Sequence, residues 1–271
     1  MDFFTKISYG LGLLVLCFSI NATAENSIKP ADVEACDGFG PQTPRDIDSL
    51  SGENQRIFSL APDYQDLNLC NIHFHANAEH KAKDFSIFAG EEGNQGGYQC
   101  LSSKSLSKAE LKPLHKNYCK GVKPGDTIEV HWVHTSCNAK PGKGLGSCLS
   151  DGCANPDLRV ETQVFTVVND KAALDFNTMA FDGHMVNGYY QAKSLPVNTG
   201  NAVEFPGSTT GPKYTEQTCS PLKVTWSVRP HCAKVDISSL SKWCESNIFE
   251  ENSAHGVRKL VTNPKLLSEI K

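Results

Sequence analysis

Cysteine number, set against the character of the first two dozen residues, constrains this chain more than any other feature. Residues 1–24 read as a secretory signal: Lys6 supplies the cation, Tyr9 to Ile20 an apolar run, and Ala22-Thr23-Ala24 a small-x-small cleavage site. The run has 12 residues, against the about 20 that a membrane-spanning helix needs. Cys17 follows Leu16, where a lipid anchor would want a small residue, so the reading is plain cleavage before Glu25. Of 11 cysteines in 271 residues, removing the signal takes Cys17 and leaves ten. An even count in an exported chain implies disulfides rather than thiolate metal ligands, and Cys148 and Cys153 are wrongly spaced for a zinc knuckle. Five disulfides and a periplasmic or secreted location are the expectation.

The rest of the chain reads as β-rich. Short alternating or β-branched runs occupy 67–75, 126–134, 158–168 and 222–228, separated by turn-forming stretches such as 90–97, 140–146, Asn187-Gly188 and Pro206-Gly207. Helical patterning is confined to 106–116 and to the tail, 257–271. No repeat or linker divides 25–271, which is read as a single domain. Lys+Arg total 26 and Asp+Glu 30, a net charge of −4 with no basic block. Nucleic acid and anionic membrane surfaces are therefore excluded as main partners.

Chemistry concentrates in two of the strand-like runs. Alternation along Asn71-Ile72-His73-Phe74-His75 sends Asn71, His73 and His75 to one face. Along Thr127–His134 it puts Glu129, His131 and Val133 on one face and Trp132 and His134 on the other. If the two runs neighbour each other in a sheet, His73, His75 and His131 form a three-imidazole cluster with Glu129 able to accept a ring N–H. Three neutral imidazoles suit a zinc ion with one position left open. His134, on the opposite face, reads as a satisfied core or surface histidine.

These residues resemble the carbonic anhydrases. The order His73-x-His75, Glu79-His80, Glu129-x-His131-x-x-His134 is similar to the zinc core of the alpha class. The wider wording resembles the delta class and its bacterial relatives over roughly 36–262: NLCNIHFHANAEH, EVHWVHTSC, GSTTGP and CSPLKVTWSVRP. Gln42-Thr43-Pro44-Arg45-Asp46-Ile47 echoes a stretch near the start of alpha enzymes. The pattern and the resemblance together predict a single β-rich α+β catalytic domain. Its core would be a central, mostly antiparallel sheet with a few short peripheral helices.

The resemblance implies an enzyme that hydrates CO2 reversibly to bicarbonate and a proton through zinc-bound hydroxide. Its Zn2+ ligands would be His73, His75 and His131, with Asn71 accepting from the His73 ring and Glu129 holding His131. It also implies that Glu79 accepts a hydrogen bond from a threonine that orients the hydroxide. Counting from Gly207-Ser208 favours Thr210, matching the Thr-Thr pair favours Thr209, and counting back from Cys219 allows Thr215. Val133 and Trp226 are implied walls of the CO2 pocket, though periodicity alone makes both core residues. A Cys36–Cys219 disulfide follows from exported alpha relatives.

Proton release departs from the family. No histidine occurs between Ser49 and Asn71, where alpha enzymes carry their relay. His115, His184, His231 and His255 are expected in surface or structural roles. The alternative to an enzyme is a non-catalytic zinc-binding module of the same fold, or a zinc-dependent esterase.

Overall fold

All four strand-like runs form strands in the computed structural model, which describes residue 36, residues 38–93 and residues 96–271. The signal reading for 1–24 lies outside the described residues. In chain order the strands are β1 (Asn68–Ala76), β2 (Phe85–Gly90), β3 (Gly97–Cys100), β4 (Thr127–Thr135), β5 (Leu158–Val168), β6 (Met185–Val186), β7 (Tyr189–Tyr190), β8 (Val203–Ser208), β9 (Lys223–Val228) and β10 (Ala233–Asp236). The central sheet runs β1-β4-β5-β9-β8, and β10 also pairs with β5. β1–β4, β4–β5 and β8–β9 are antiparallel, while β9 and β10 lie parallel to β5.

β5 carries the sheet. All 11 of its residues are buried. One edge pairs with β4 along its whole length, and the other is shared between β9 at Arg159–Thr162 and β10 at Phe165–Val168. Where the chain steps from β9 to β10, the Gln163 side chain donates to the His231 carbonyl at 2.8 Å, so a backbone oxygen outside the ladder keeps a partner.

Both faces of the sheet are covered. On one, Ile72, Phe74, Val130, Trp132 and Phe165 pack against Phe176, Leu240 and Trp243. On the other, Val133, Val160, Val164, Phe205, Val224, Trp226 and Val228 form a second cluster beside the histidines.

The helical expectations fail. Residues 106–116 hold only a turn and irregular chain, and the tail has one 3-10 turn, Pro264–Leu266. Pro113 and Pro264 interrupt both patterns. The tail instead spends its backbone on other segments: Val257 N donates to Gly93 O, Val261 N to Pro44 O and Ile270 N to Leu50 O. The one α-helix among the described residues, α1 (Ile237–Glu245), follows β10 directly and is capped by Asp236, whose carboxylate accepts from Ser239 N.

Ten cysteines make five disulfides: Cys36–Cys219, Cys70–Cys148, Cys100–Cys232, Cys119–Cys244 and Cys137–Cys153. In the chain-entropy account, loops of this length each restrict the unfolded chain by about 3–5 kcal/mol. No helix among the described residues is long and apolar enough to cross a membrane.

Candidate metal centre

The register of β1 against β4 builds the site. His73 lies directly opposite His131, with His75 opposite Glu129 and Asn71 opposite Val133. A bulge at Cys70 shifts the register between Leu69 and Asn71. The ring nitrogens of His73, His75 and His131 converge, with one atom from each within 4.8 Å of the others.

Each histidine has one nitrogen committed outside the cluster. His73 Nδ1 donates to Asn71 Oδ1 at 2.7 Å, His75 Nδ1 to the Gly256 carbonyl at 3.1 Å, and His131 Nε2 to Glu129 Oε1 at 2.7 Å. The nitrogens left over are His73 Nε2, His75 Nε2 and His131 Nδ1. All three are bare lone pairs in the neutral rings. His73 Nε2 and His131 Nδ1 stand 3.2 Å apart, and buried His75 Nε2 has no partner. Three lone pairs facing one point repel unless a cation sits between them, so the donor set fits a metal that prefers imidazole nitrogen.

Burial keeps the His73 and His75 rings neutral. Burial, followed by the neighbouring His131 and His75, holds the His73 pKa well below the ordinary imidazole value. Burial lowers His75 to about 4, against the opposing pull of Glu79. Burial would raise the Glu129 carboxyl, but His80 and His131 outweigh it and hold the group well below the usual carboxylate range.

His80 is a residue the sequence reading undervalued. It is fully buried. It gives Glu129 two bonds: Nδ1 to Oε1 at 2.8 Å and backbone N to Oε2 at 3.1 Å. Its adjacency to Glu79 was the only signal, because the link to Glu129 spans 49 residues.

Glu79 is buried at 1% exposure. Its Oε1 accepts from Arg258 N at 3.0 Å and lies 3.5 Å from His75 Nδ1, while Oε2 has no partner. Thr209 and Thr210 both line the cavity that holds the three histidines, and Thr215 does not. No hydrogen bond joins Glu79 to either threonine among the described residues, and the Thr209 hydroxyl pairs with Ser220 Oγ at 2.5 Å.

The cavity is about 400 Å³. Val133 and Trp226 form part of an apolar wall with Leu158, Val160 and Val224. Trp226 reaches this wall because residue 207 is glycine: a Cβ there would stand 2.9 Å from the indole and 2.7 Å from Thr43 Oγ1.

His255, expected at the surface or in a structural role, lines the same cavity. Its ring centroid is 5.6 Å from that of His73 and 5.8 Å from that of His75. Its side chain is 52% exposed, with Nε2 2.6 Å from Glu251 Oε1, a contact that raises its pKa. Only the tail's return to β1, where His255 N donates to Phe74 O, brings it here.

The delta carbonic anhydrase family model matches residues 64–239. Among solved structures, the chain is similar to the alpha-carbonic anhydrase of Photobacterium profundum, at 17% identity over 86% of this chain and 90% of that one, with a TM-score of 0.29. It is also similar to the alpha-carbonic anhydrase from Thermovibrio ammonificans in complex with the inhibitor sulfanilamide, at 16% identity over 82% and 83%, TM-score 0.29. No curated protein matches the chain.

Proposed function

Since the chain belongs to the delta carbonic anhydrase family, we propose that it hydrates CO2 reversibly to bicarbonate and a proton, with zinc held by His73, His75 and His131. The observation that carries this reading is the set of three bare imidazole nitrogens facing one point, each ring fixed from behind by a separate acceptor. When bound there, zinc supplies a Lewis acid that makes water ionisable near neutral pH, a property for which carbonic anhydrases are themselves the reference case.

The chain's own groups supply the rest. Asn71, Gly256 O and Glu129 set ring orientation and tautomer. Val133, Val160, Val224 and Trp226 offer a small nonpolar substrate an apolar wall and exclude competing water. Thr209 or Thr210 positions the attacking oxygen, and Glu79 Oε2 is a buried acceptor left open. His255, half exposed and paired with Glu251, takes up the released proton and passes it to buffer. Residues 25–271 act as one catalytic domain, exported to a compartment that keeps five disulfides oxidised.

Stopped-flow CO2 hydration, with metal content measured on the same sample, tests the reading. Activity at about one zinc per chain is expected from one three-histidine group that leaves a coordination position open. Stoichiometric zinc without hydration at any buffer concentration would instead make this a non-catalytic zinc-binding protein. Ester cleavage without hydration would make it a hydrolase.

A further inference from the structure

The bulge in β1 does more than set the phase of the histidines. Cys70 is the extra residue, since Leu69 pairs with His134 and Asn71 already with Val133. Its carbonyl accepts from Gly142 N at 3.0 Å and from Ser147 Oγ at 2.8 Å. Its sulfur is bonded to Cys148, whose carbonyl in turn accepts from Thr135 Oγ1 at 2.7 Å. Residues 142–148 are thereby fastened to β1 and β4 at both ends. What this segment turns toward the histidines is the Gly142 carbonyl, which accepts from Asn71 Nδ2 at 3.0 Å.

An asparagine amide can turn over and exchange its oxygen and nitrogen ends. Against a carbonyl, only the nitrogen end bonds. With Nδ2 committed to Gly142, Oδ1 must face His73 Nδ1, 2.7 Å away. That acceptor keeps the ring proton on Nδ1 and leaves Nε2 bare. With the Gly142 carbonyl withdrawn, Asn71 is free to present its NH2 to Nδ1. The ring then carries its proton on Nε2, where a metal would have to displace it.

We propose that the Cys70–Cys148 clamp is a positioning device for the metal: by seating the Gly142 carbonyl it fixes the Asn71 amide, and through it the metal-ready tautomer of His73. This rests on the reading of His73 as a metal ligand. Cys70, Cys148, Gly142 and Ser147 touch neither metal position nor substrate in this scheme; they act only through Asn71.

The test is Zn2+ affinity of the metal-free protein, by competition with a chromophoric chelator, with urea midpoints on the same samples. Cys70→Ala/Cys148→Ala is expected to weaken zinc binding by about tenfold, in the range seen when an outer partner of a metal-bound histidine is lost. Cys119→Ala/Cys244→Ala, which unties α1 instead, is expected to lower the urea midpoint without moving zinc affinity. In an Asn71→Ala background the clamp change should have no further effect on zinc. Should the clamp variant fail to fold, Ser147→Ala loosens the same segment and is expected to weaken zinc in the same direction. Unchanged affinity in either folded variant, or a full additive loss on Asn71→Ala, overturns the proposal. An unaltered chain that binds no zinc overturns the three-histidine reading beneath it instead.

Discussion

His131 and His134 sit three residues apart on β4, both buried, on opposite faces of one sheet. Each has one ring nitrogen tied off: His131 Nε2 on Glu129 at 2.7 Å, His134 Nδ1 beside its neighbour's carbonyl, Trp132 O, at 3.0 Å. Each has the other nitrogen buried inside the protein. Around His131 the open nitrogen meets two more, from His73 and His75. Around His134 the open Nε2 has no partner, and the ring packs against Tyr64 with centroids 5.4 Å apart. A buried histidine with an open nitrogen is therefore no ligand by itself. Convergence from a second strand makes the difference, and register supplies it.

The sharpest way to break the contrast is to delete each histidine and measure bound metal. His131→Ala is expected to lose stoichiometric zinc and CO2 hydration together, while His134→Phe keeps both. A metallated His131→Ala protein would mean the third ligand is another residue.

Next in size is Glu129→Gln. A neutral amide cannot accept from His80 and His131 as the carboxylate does, so zinc affinity is expected to fall about 10- to 100-fold. Chelator competition reads this directly, and a loss under threefold would detach Glu129 from the metal site.

The far face makes its own pH prediction. Burial lowers the His134 pKa to about 3, helped by the nearby Arg159 charge, against about 6.5 unfolded. Between these values the unfolded chain binds more protons than the folded one. The stability that neutral His134 contributes is thus complete above about pH 6.5 and is lost as pH falls toward 3. Unfolding free energies from urea melts should drop more steeply on acidification in the parent than in His134→Phe, by about 2 kcal/mol between pH 6.5 and 4.5. Parallel profiles would show that the ring charges at no cost.

The smallest effect is expected at the cavity mouth. Lys143 and Glu250 pair at 2.7 Å with both side chains mostly exposed, where solvent and salt screen the attraction. Lys143→Ala should leave the urea midpoint nearly unchanged and hydration intact. A large fall in rate with unchanged stability would make this pair part of the site.

Local pattern made much of this site legible. Alternation in 67–75 and 126–134 placed Asn71, His73, His75, Glu129 and His131 on matching faces, because a strand's period is independent of what packs on it. His80 and His255 were not legible, since each reaches its partner through a long-range return of the chain. The two threonines stayed ambiguous for a related reason: both line the cavity, and spacing cannot say which hydroxyl is engaged elsewhere. α1 escaped notice because Ser238, Ser239 and Ser241 dilute its apolar face. Pro113 and Pro264 fall inside the stretches expected as helices, 106–116 and the tail, and each removes a backbone donor that a helix there would need.

None of the five disulfides joins two cysteines that follow one another in sequence. A chain emerging N-terminus first exposes Cys36, Cys70, Cys100, Cys119 and Cys137 before any native partner is present, since the earliest pair closes only at Cys148. Oxidation in order of emergence would therefore pair every one of them wrongly. From such a start only exchange, thiolate attacking mispaired disulfide, recovers the native set.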